Sequence, residues 1–495
     1  MSEVLLGDIP DRGVARCGAD HWAVRHGAEV LSWGELADRS LRRANALAAH
    51  GVGQGDRVVL AMANCNAFFE LTFALWKLGA TPTVVSHRLP RAELEAILEL
   101  ADPKAVIASD AALREATGAL PGAFGRDHAD NSPRQTRLSQ HWKIMTSGGS
   151  TGRPKLIVDA LPSMIDGKYA TAGLPTDGVM LNPGPLYHNF PFCMTHMALL
   201  HGTSVVGMEK FDAATFLDLV ERHRVQWVAL VPTTMNRIAR LPAQLRDARD
   251  MSSLERVWHT AAPMPPSLKQ FWIDWLGPER IWEMYGGTEG VAVTQLDGAE
   301  WLEHRGSVGK PLNSELLIRG EDGQALGPGE IGEVYMRRIG ADPARPTYEY
   351  VGAASRRLPD GFESLGDFGW VDADGYLYIA DRRTDMIISG GRNIFPAEVE
   401  SALLEHRQVA EAIVIGLPDA DLGASVHAIV RLEAGAAASA EAILAFAGER
   451  LIAYKLPRTV EFTDEALRDE AGKARRSRLR EERIVAIEER EKANG

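Results

Sequence analysis

The apolar residues in the first part of the chain fall into short runs that alternate with amphipathic stretches. β-rich runs occupy residues 57–63, 81–85 and 105–108, and the stretches between them, 67–78 and 91–100, carry apolar residues at helical spacing. Strands that alternate with helices in this way indicate a parallel sheet with crossover helices. The alternation returns at residues 156–158, 204–207, 213–223 and 227–231, so the pattern predicts a layered α/β body.

The pattern changes further along the chain. Residues 110–140 are polar and contain Pro and Gly, which predicts a surface connection. From residue 306 onward, short strands are separated by Gly, Pro and Asp turns, as in 331–336 and 371–379, and this pattern predicts a small β subdomain. After residues 381–385 a new α/β pattern begins, with a helix at 397–405 and strands at 411–415 and 427–432.

These changes define the predicted domains. We predict an α/β fold in which residues 1–380 form a large N-terminal domain of layered α/β subdomains plus a β subdomain. Residues 381–385 are the predicted hinge, and residues 386–495 form a small α+β C-terminal domain. A chain of 495 residues is too long for one ordinary hydrophobic core, which agrees with this division.

Composition and charge exclude several classes of protein. The net charge of −13 disfavours nucleic acid as a partner, because phosphate backbones are bound mainly through clustered Lys and Arg. Cys17, Cys65 and Cys193 show no CxxC spacing, so we expect neither a disulfide framework nor a structural metal. The acidic N-terminus does not have the pattern of a signal peptide, and polar residues interrupt the apolar stretch 58–85. We therefore expect a cytoplasmic protein without a membrane span.

The most informative segment combines hydroxyl side chains, glycines and cations in ten residues: Thr146, Ser147, Gly148, Gly149, Ser150, Thr151, Gly152, Arg153, Pro154 and Lys155. Glycines let consecutive backbone N–H groups point into one concavity, and the cations balance the charge of a polyphosphate. The order differs from a Walker loop, because Arg153 and Pro154 separate Gly152 from Lys155. A flexible loop has a similar composition, but Pro154 and the apolar run 156–158 favour a fixed turn before a buried strand.

A second segment carries an aromatic residue, two glycines, a hydroxyl and a carboxylate at residues 285–289. Tyr285 followed by tight glycines suits the face of a nucleobase and the close approach of a ligand. Thr288 and Glu289 offer a hydroxyl and a carboxylate for phosphate and Mg²⁺. A tight turn after a strand explains the same residues without a ligand.

Three later segments add further candidates. Asp367, within 366–370, has a carboxylate that can accept hydrogen bonds from ribose hydroxyls. A charged strand with Arg382 leads to the glycine turn Gly390-Gly391, and Lys473 stands in the basic run 469–476. A lone lysine in such a run is usually only solvated.

In this order and spacing, the five segments resemble those of the adenylate-forming superfamily of acyl-CoA synthetases, adenylation domains and luciferases. The resemblance covers nearly the whole chain. Within the superfamily, residues 86–90, 185–189, 300–309 and 467–473 are most similar to the bile-acid and steroid-type CoA ligases of bacteria.

The resemblance implies the ligands ATP, AMP, Mg²⁺ and coenzyme A. Residues 146–155 would wrap the β- and γ-phosphates of ATP, and Tyr285 would stack near adenine. Asp367 would bind the ribose hydroxyls, with Arg382 reinforcing the same nucleotide. Thr288 would contact the α-phosphate, and Glu289 would hold Mg²⁺.

The resemblance also implies how the reaction is organised. His188 stands at the aromatic gate between the acyl pocket and the nucleotide, and Lys473 matches the lysine that bridges carboxylate and α-phosphate. Gly390 and Gly391 match the turn that lines the pantetheine channel. The C-terminal domain is then mobile, and its rotation replaces Lys473 with this turn for the second half-reaction.

Three residues depart from the family pattern. Thr384 stands at the hinge position that usually carries Asp or Lys, which puts the energetics of rotation in question. Arg392 follows the glycine pair, either as a contact to CoA phosphate or as an exposed side chain. Phe190 replaces a glycine after Tyr-His-Asn, where its ring can reshape the acyl entrance.

The leading hypothesis is an acyl-CoA ligase for a bulky apolar carboxylic acid of steroid, terpenoid or aromatic type. No acyl-carrier segment follows the C-terminal helix, so free CoA is the expected thiol. One alternative is an enzyme of a single half-reaction, which thioesterifies an acyl-adenylate made elsewhere. Another is a non-catalytic nucleotide-binding protein, and a remote one is a luciferase-like oxygenase. A homodimer is an expectation that no motif of the chain supports.

Overall fold

Two large sheets form the body of the N-terminal part of the computed structural model, which describes residues 3–147, 154–167, 172–382, 385–469 and 472–494. Within this described part, one sheet has nine strands and the other has seven. The nine-stranded sheet has the order Lys310–Pro311, Val293–Asp297, Ile281–Gly286, Arg256–His259, Trp227–Leu230, Val179–Asn182, Ser204–Gly207, Trp22–His26 and Glu29–Ser32. The seven-stranded sheet has the order Tyr348–Val351, Lys155–Asp159, Ile144–Ser147, Thr81–Val85, Arg57–Ala61, Ala105–Ala108 and Leu120–Pro121.

The inner strands of both sheets are parallel, as the alternation of apolar runs predicts. Thr81–Val85 pairs with Arg57–Ala61, which pairs in turn with Ala105–Ala108. The strands are antiparallel at one edge of the seven-stranded sheet, where Lys155–Asp159 runs antiparallel to both of its neighbours. This hairpin arrangement is possible because only a short loop separates Lys155 from the preceding strand, whereas a parallel pair needs a longer crossover.

Helices cover the faces of these sheets. The N-terminal helices are Ile9–Cys17, Trp33–Ala49, Asn66–Leu78, Arg91–Ala101, Ala111–Thr117, Asn189–Leu200, Ala213–His223, Pro232–Ala239, Ala243–Asp247, Pro266–Leu276 and Gly298–Glu303. The surface connection predicted over residues 110–140 contains the short helix Ala111–Thr117, none of whose residues is buried. Asp110 caps this helix by accepting a hydrogen bond from the Leu113 amide at 2.7 Å, and Gly118 ends it at a φ of 69°.

A β subdomain follows the nine-stranded sheet, as the short strands predict. Ser314–Arg319, Gly332–Arg338, Glu363–Val371 and Arg356–Arg357 form one sheet in this order, and Leu377–Arg382 pairs with Glu363–Val371. Near the N-terminus, Glu3–Leu5 pairs with Met164–Asp166.

The C-terminal part has its own sheet and its own core. Val409–Asp419, Gly423–Leu432 and Thr459–Phe462 form the sheet, and Ile387–Ser389 and Arg392–Ile394 form a separate hairpin. The helices here are Pro396–Leu404, Ala440–Gly448 and Arg476–Asn494. Buried clusters that span residues 4–377 contain no residue of the clusters that span 387–467 within the described part of the chain. The predicted α/β class, with a large N-terminal and a small C-terminal domain, is confirmed.

Candidate active site

The glycine-rich loop connects two antiparallel strands. Thr146 and Ser147 end the strand Ile144–Ser147, and Lys155 begins Lys155–Asp159, with Ser147 opposite Lys155. Leu156 and Val158 are buried, so the predicted buried strand after the loop is confirmed. Gly148, Gly149, Ser150, Thr151 and Gly152 lie outside the described residues.

A tyrosine links Lys155 to the predicted magnesium ligand. Nζ of Lys155 lies 3.5 Å from the ring centre of Tyr350, and the Tyr350 hydroxyl donates to Oε1 of Glu289 at 2.6 Å. Burial and then the Glu289 charge raise the pKa of Tyr350, so its hydroxyl stays protonated and remains a donor. The structure therefore brings the cation of the loop and Glu289 to one place. The motifs did not indicate Tyr350. It lies in Tyr348–Val351, an edge strand of the seven-stranded sheet.

The turn that carries Thr288 and Glu289 is held from the β subdomain. The amide of Gly290 donates to the carbonyl of Gly287 at 3.1 Å, and the Arg338 guanidinium donates to the Gly290 carbonyl. The φ of Gly290 is 62°, a conformation that glycine adopts without strain. Half-buried Thr288 and Glu289 are thus presented on a fixed turn, and their oxygens are of the type that Mg²⁺ binds.

Tyr285 and Asp367 meet in the structure, although 82 positions separate them. The Tyr285 hydroxyl donates to Oδ2 of Asp367 at 2.6 Å, and Asp367 is buried. Asp367 pairs with Arg382 across neighbouring antiparallel strands. The three residues predicted to bind one nucleoside therefore lie close together, Tyr285 and Asp367 through their side chains and Arg382 through its backbone, and the side chain of Arg382 lies outside what the structure describes.

His188 immediately precedes the helix Asn189–Leu200, and its ring centre lies 4.7 Å from that of Tyr187. Burial lowers the pKa of His188 to about 3, and the positive charge of Lys473 acts in the same direction. His188 is consequently neutral near pH 7. This effect of Lys473 agrees with an approach of the C-terminal loop to the N-terminal domain.

The backbone next to Lys473 confirms this approach. A Cβ added to Gly472 would lie 3.2 Å from Oγ1 of Thr233 and 3.6 Å from a methyl group of Val231. Gly472 has a φ of 75°, so the absent side chain and the left-handed backbone both favour glycine here. The loop that carries Lys473 therefore packs closely on the N-terminal domain.

The glycine turn at 390–391 packs within the C-terminal domain. Gly390 and Gly391 have φ values of 55° and 73°, and the Gly390 amide donates to the Leu422 carbonyl at 2.9 Å. The guanidinium of Arg392 lies 4.7 Å from the ring centre of Tyr454. Thr384 lies outside the described residues.

Aromatic side chains form two pairs, one of which contains Phe190, two positions after His188. The ring of Phe190 lies 6.3 Å from that of Trp227, and the rings of Trp258 and Trp282 are 5.2 Å apart on neighbouring strands. The indole N–H groups of Trp227 and Trp258 both donate to the carbonyl of Ala172, at 3.0 and 2.9 Å. These shared bonds satisfy the polar edge of both rings and leave their faces for apolar contacts.

Comparison with known proteins assigns the family. Residues 11–341 match the AMP-binding enzyme family, and residues 398–473 match the AMP-binding enzyme C-terminal domain. The chain belongs to this family of adenylate-forming enzymes and is an acyl-CoA synthetase of the AMP-forming type. Within the described residues, no helix is long and apolar enough to cross a membrane.

Relatives with different acid substrates cover almost the full chain. A feruloyl-CoA synthase of an Amycolatopsis species is 35% identical over 96% of this chain and 98% of its own length. A long-chain-fatty-acid–CoA ligase of Mycobacterium tuberculosis, FadD13, is 32% identical over 92% of this chain and 94% of its own length. The o-succinylbenzoate CoA synthetase of Bacillus subtilis, solved with its acyl-adenylate intermediate, is 26% identical with a TM-score of 0.82, over 97% of this chain and 98% of that one. The same enzyme has been solved with ATP and a magnesium ion. ATP, AMP, Mg²⁺ and CoA are accordingly the cofactors of this family member.

Proposed function

We propose that the protein converts a bulky aromatic carboxylic acid into its CoA thioester, and that it catalyses both half-reactions. In the first, the carboxylate displaces pyrophosphate from ATP to give an acyl-adenylate. In the second, the thiol of CoA displaces AMP and the thiol proton is released. The observation that carries the proposal is the packing of Gly472 on Val231 and Thr233, because it brings the loop of Lys473 to the N-terminal domain, where a lysine serves adenylation rather than nucleotide binding alone.

We assign Lys473 to the charge that develops between the carboxylate and the α-phosphate. A preorganised cation stabilises such charge strongly, since it needs no reorganisation during the reaction. Neutral His188 separates this cation from the acyl site without adding a second positive charge. Thr288 donates to the α-phosphate in this assignment, and Asp367 and Arg382 hold the ribose.

The phosphates are assigned to the loop 146–155, with Lys155 as the cation that faces them. Glu289 is the carboxylate that would hold Mg²⁺, and its neighbour Tyr350 fixes one of its oxygens. When bound, Mg²⁺ would neutralise phosphate charge and favour departure of pyrophosphate. The residues present suit this role, because Mg²⁺ is usually bound through one or two carboxylates together with substrate phosphates.

The ring of Phe190, two positions after His188, supports a ring-bearing acid. Phe190 is partly exposed and lies against buried Trp227, and aromatic pairs gain energy beyond simple burial. A relative that is named for a feruloyl substrate agrees with this choice. Steroid and terpenoid acids belong to the same bulky apolar class and remain in the substrate panel of the test.

We propose that residues 1–380 and 386–495 move as two bodies about the hinge 381–385. The separate buried clusters on either side support this division. In the second half-reaction, Gly390 and Gly391 would replace Lys473 at the site and line the pantetheine channel. Arg392, whose guanidinium lies over Tyr454, is then placed to contact CoA phosphate.

ATP–pyrophosphate exchange tests the first half-reaction directly. We would measure it with Mg²⁺ and a panel of ferulate, o-succinylbenzoate, a steroid acid and palmitate, and follow CoA thioesters by mass in the same samples. Exchange together with thioester for the ring-bearing acids is expected. Thioester formed only from a supplied acyl-adenylate, without exchange for any acid, would establish the single-half-reaction alternative. Phe190 would then be the first residue to replace with glycine.

The variant Lys473→Ala separates the two steps. Exchange should fall roughly 100- to 1,000-fold, while thioester formation from a supplied acyl-adenylate stays near the wild-type rate. Arg478→Ala is the matched control, because Arg478 is exposed on the next helix and pairs with Glu482 at 2.7 Å. An equal fall of both half-reactions in Lys473→Ala would contradict the assigned role.

A further inference from the structure

Two arginines flank the Lys473 loop and converge on one buried carboxylate. Nη2 of Arg468 donates to Oε2 of Glu400 at 2.8 Å. Nη2 of Arg476 donates to both oxygens of Glu400, at 2.7 and 2.8 Å, and Nε of Arg476 lies 3.2 Å from Oε1. Arg468 is five positions before Lys473 and Arg476 three positions after it, so Glu400 ties together the two ends of the loop.

Glu400 is itself firmly placed. It belongs to the helix Pro396–Leu404 and is only 4% exposed, and its Oε1 also accepts a hydrogen bond from the Val414 amide at 2.9 Å. A buried carboxylate is costly unless it is paired and hydrogen-bonded, and the two arginines and the amide provide Glu400 with both kinds of partner. A bidentate contact fixes the orientation of the arginine relative to the carboxylate as well as the distance between them.

The same network holds the loop backbone and reaches the hinge. Nη1 of Arg468 donates to the Gly472 carbonyl at 3.3 Å, and Oδ1 of Asp469 accepts from the Lys473 amide at 2.9 Å. On the other side, Nη1 of Arg476 donates to Oδ2 of Asp385 at 3.1 Å. Asp385 is the last residue of the proposed hinge, so one set of contacts connects the catalytic loop with the pivot of the domain.

We propose that Glu400, with Arg468 and Arg476, is the positioning unit that sets the distance from the hinge to Lys473 for the adenylation half-reaction. The inference rests on the proposed function of Lys473. None of the three residues needs to touch a substrate, because they act on the loop backbone and on Asp385. Lys473 and the residue that ends the hinge then move together, and rotation of the C-terminal domain withdraws or returns the lysine.

The test compares Arg476→Gln and Arg476→Lys with the control Arg478→Ala, using the acid of the panel that gives the fastest exchange with the wild-type enzyme. For Arg476→Gln we expect the kcat of exchange to fall about 100-fold, the loss typical of a misplaced catalytic group, while the KM for ATP stays close to that of the wild type. The N-terminal domain holds ATP in our assignment, so its affinity does not depend on Arg476. Thioester formation from a supplied acyl-adenylate should be nearly unchanged.

Arg476→Lys should lie between the wild type and Arg476→Gln, because lysine keeps the charge but cannot bind Glu400 and Asp385 together. The proposal is overturned if both half-reactions fall in parallel in Arg476→Lys, or if exchange is unaffected in Arg476→Gln. The first of these results would identify a purely structural role, and a thermal melt of each variant would show it as a matching loss of stability. If the wild-type enzyme gave no exchange with any acid of the panel, the proposed function itself would fail before any variant was compared.

Discussion

At the scale of single residues, Tyr350 shows how a side chain without a motif contributes to the site. Its ring lies under Lys155 and its hydroxyl binds Glu289, so one residue orients a cation and a carboxylate. The tyrosine contacts both side chains and so restrains both.

Tyr350→Phe tests this role. The ring beneath Lys155 is retained, but Glu289 loses the donor that orients it. We expect the affinity for Mg²⁺ to fall about 10- to 100-fold, as is typical when the hydrogen-bond partner of a metal ligand is removed. A Mg²⁺ titration of ATP–pyrophosphate exchange measures it. Tyr335→Phe is the control, because Tyr335 lies in the strand Gly332–Arg338 beside Arg319. An unchanged titration in Tyr350→Phe would rule out this role.

Buried His196 couples stability to pH. The ring is fully buried among Phe192 and Trp76, and its Nδ1–H donates to the Phe192 carbonyl at 2.7 Å. Burial lowers the pKa of His196 from 6.5 to about 4. The unfolded chain therefore binds a proton at a higher pH than the folded chain does. The contribution of neutral His196 to the free energy of unfolding is fully present above about pH 6.5 and is lost as the pH falls from about 6.5 to 4.

We expect this histidine alone to lower the free energy of unfolding by about 2 kcal/mol between pH 8 and pH 5. Urea unfolding at both pH values measures the change. His196→Phe should reduce the pH dependence, because a phenyl ring fits the same aromatic surroundings and cannot be protonated. Replacing exposed His50 with Gln is the control and should preserve the dependence. The same pH dependence in His196→Phe as in the wild type would contradict the assignment.

Motif residues could be predicted from the sequence because their chemistry is local. Thr288 and Glu289 follow one another in a glycine turn, and Lys473 follows a glycine. Tyr350 could not be predicted, because its partner Glu289 is 61 positions away. Glu400 and Arg476 are 76 positions apart, and each looks like an ordinary charge on a helix. Only the fold shows that such residues meet.

At the scale of helices and strands, buried apolar runs predicted strands correctly. A helix without a hydrophobic pattern was missed. Thr81–Val85 and Ala105–Ala108 have the predicted bounds, because strands buried inside a parallel sheet read as continuous apolar runs. The short helix Ala111–Thr117 was missed, since none of its residues is buried and it has no apolar periodicity. Its cap, Asp110, and its end, Gly118, were the signals available.

Gly309 shows how one position can join two sheets. Its φ is 97°, and an added Cβ would lie 2.2 Å from the Gln295 carbonyl oxygen. Its carbonyl accepts from the Leu377 amide at 2.9 Å, which connects the nine-stranded sheet to the β subdomain. A side chain here would meet both a backbone clash and a strained conformation.

Gly309→Ala should therefore destabilise the protein by about 2–5 kcal/mol, the sum of left-handed strain and overpacking. Gly375→Ala is the matched control, because Gly375 has a φ of 83° and an added Cβ would meet no atom within 4 Å. This control should lose only about 1–2 kcal/mol from strain. Urea unfolding of both variants measures the difference, and equal losses would show that the clash is relieved by movement of the strands.

At the scale of the whole molecule, polar contacts join the two parts of the chain that the structure describes. Nη2 of Arg240 donates to the Val409 carbonyl at 2.9 Å, and Arg475 pairs with Glu93 at 3.2 Å. Each part encloses its own buried clusters. Contacts of this polar and local kind favour domains that separate and reorient, because no continuous apolar core has to be opened.

Two independent cores predict two unfolding transitions. Calorimetry of the full chain should resolve one transition for the N-terminal domain and one for the C-terminal domain, because each buries its own apolar surface and the cooperative unit is a single core. ATP with Mg²⁺ at about 100 times its dissociation constant should stabilise the N-terminal transition by about 2.7 kcal/mol. The nucleotide residues assigned above lie almost entirely before the hinge, so the C-terminal transition should move much less. A single transition with equal calorimetric and van't Hoff enthalpies would show one cooperative unit and would contradict the proposed division at residues 381–385.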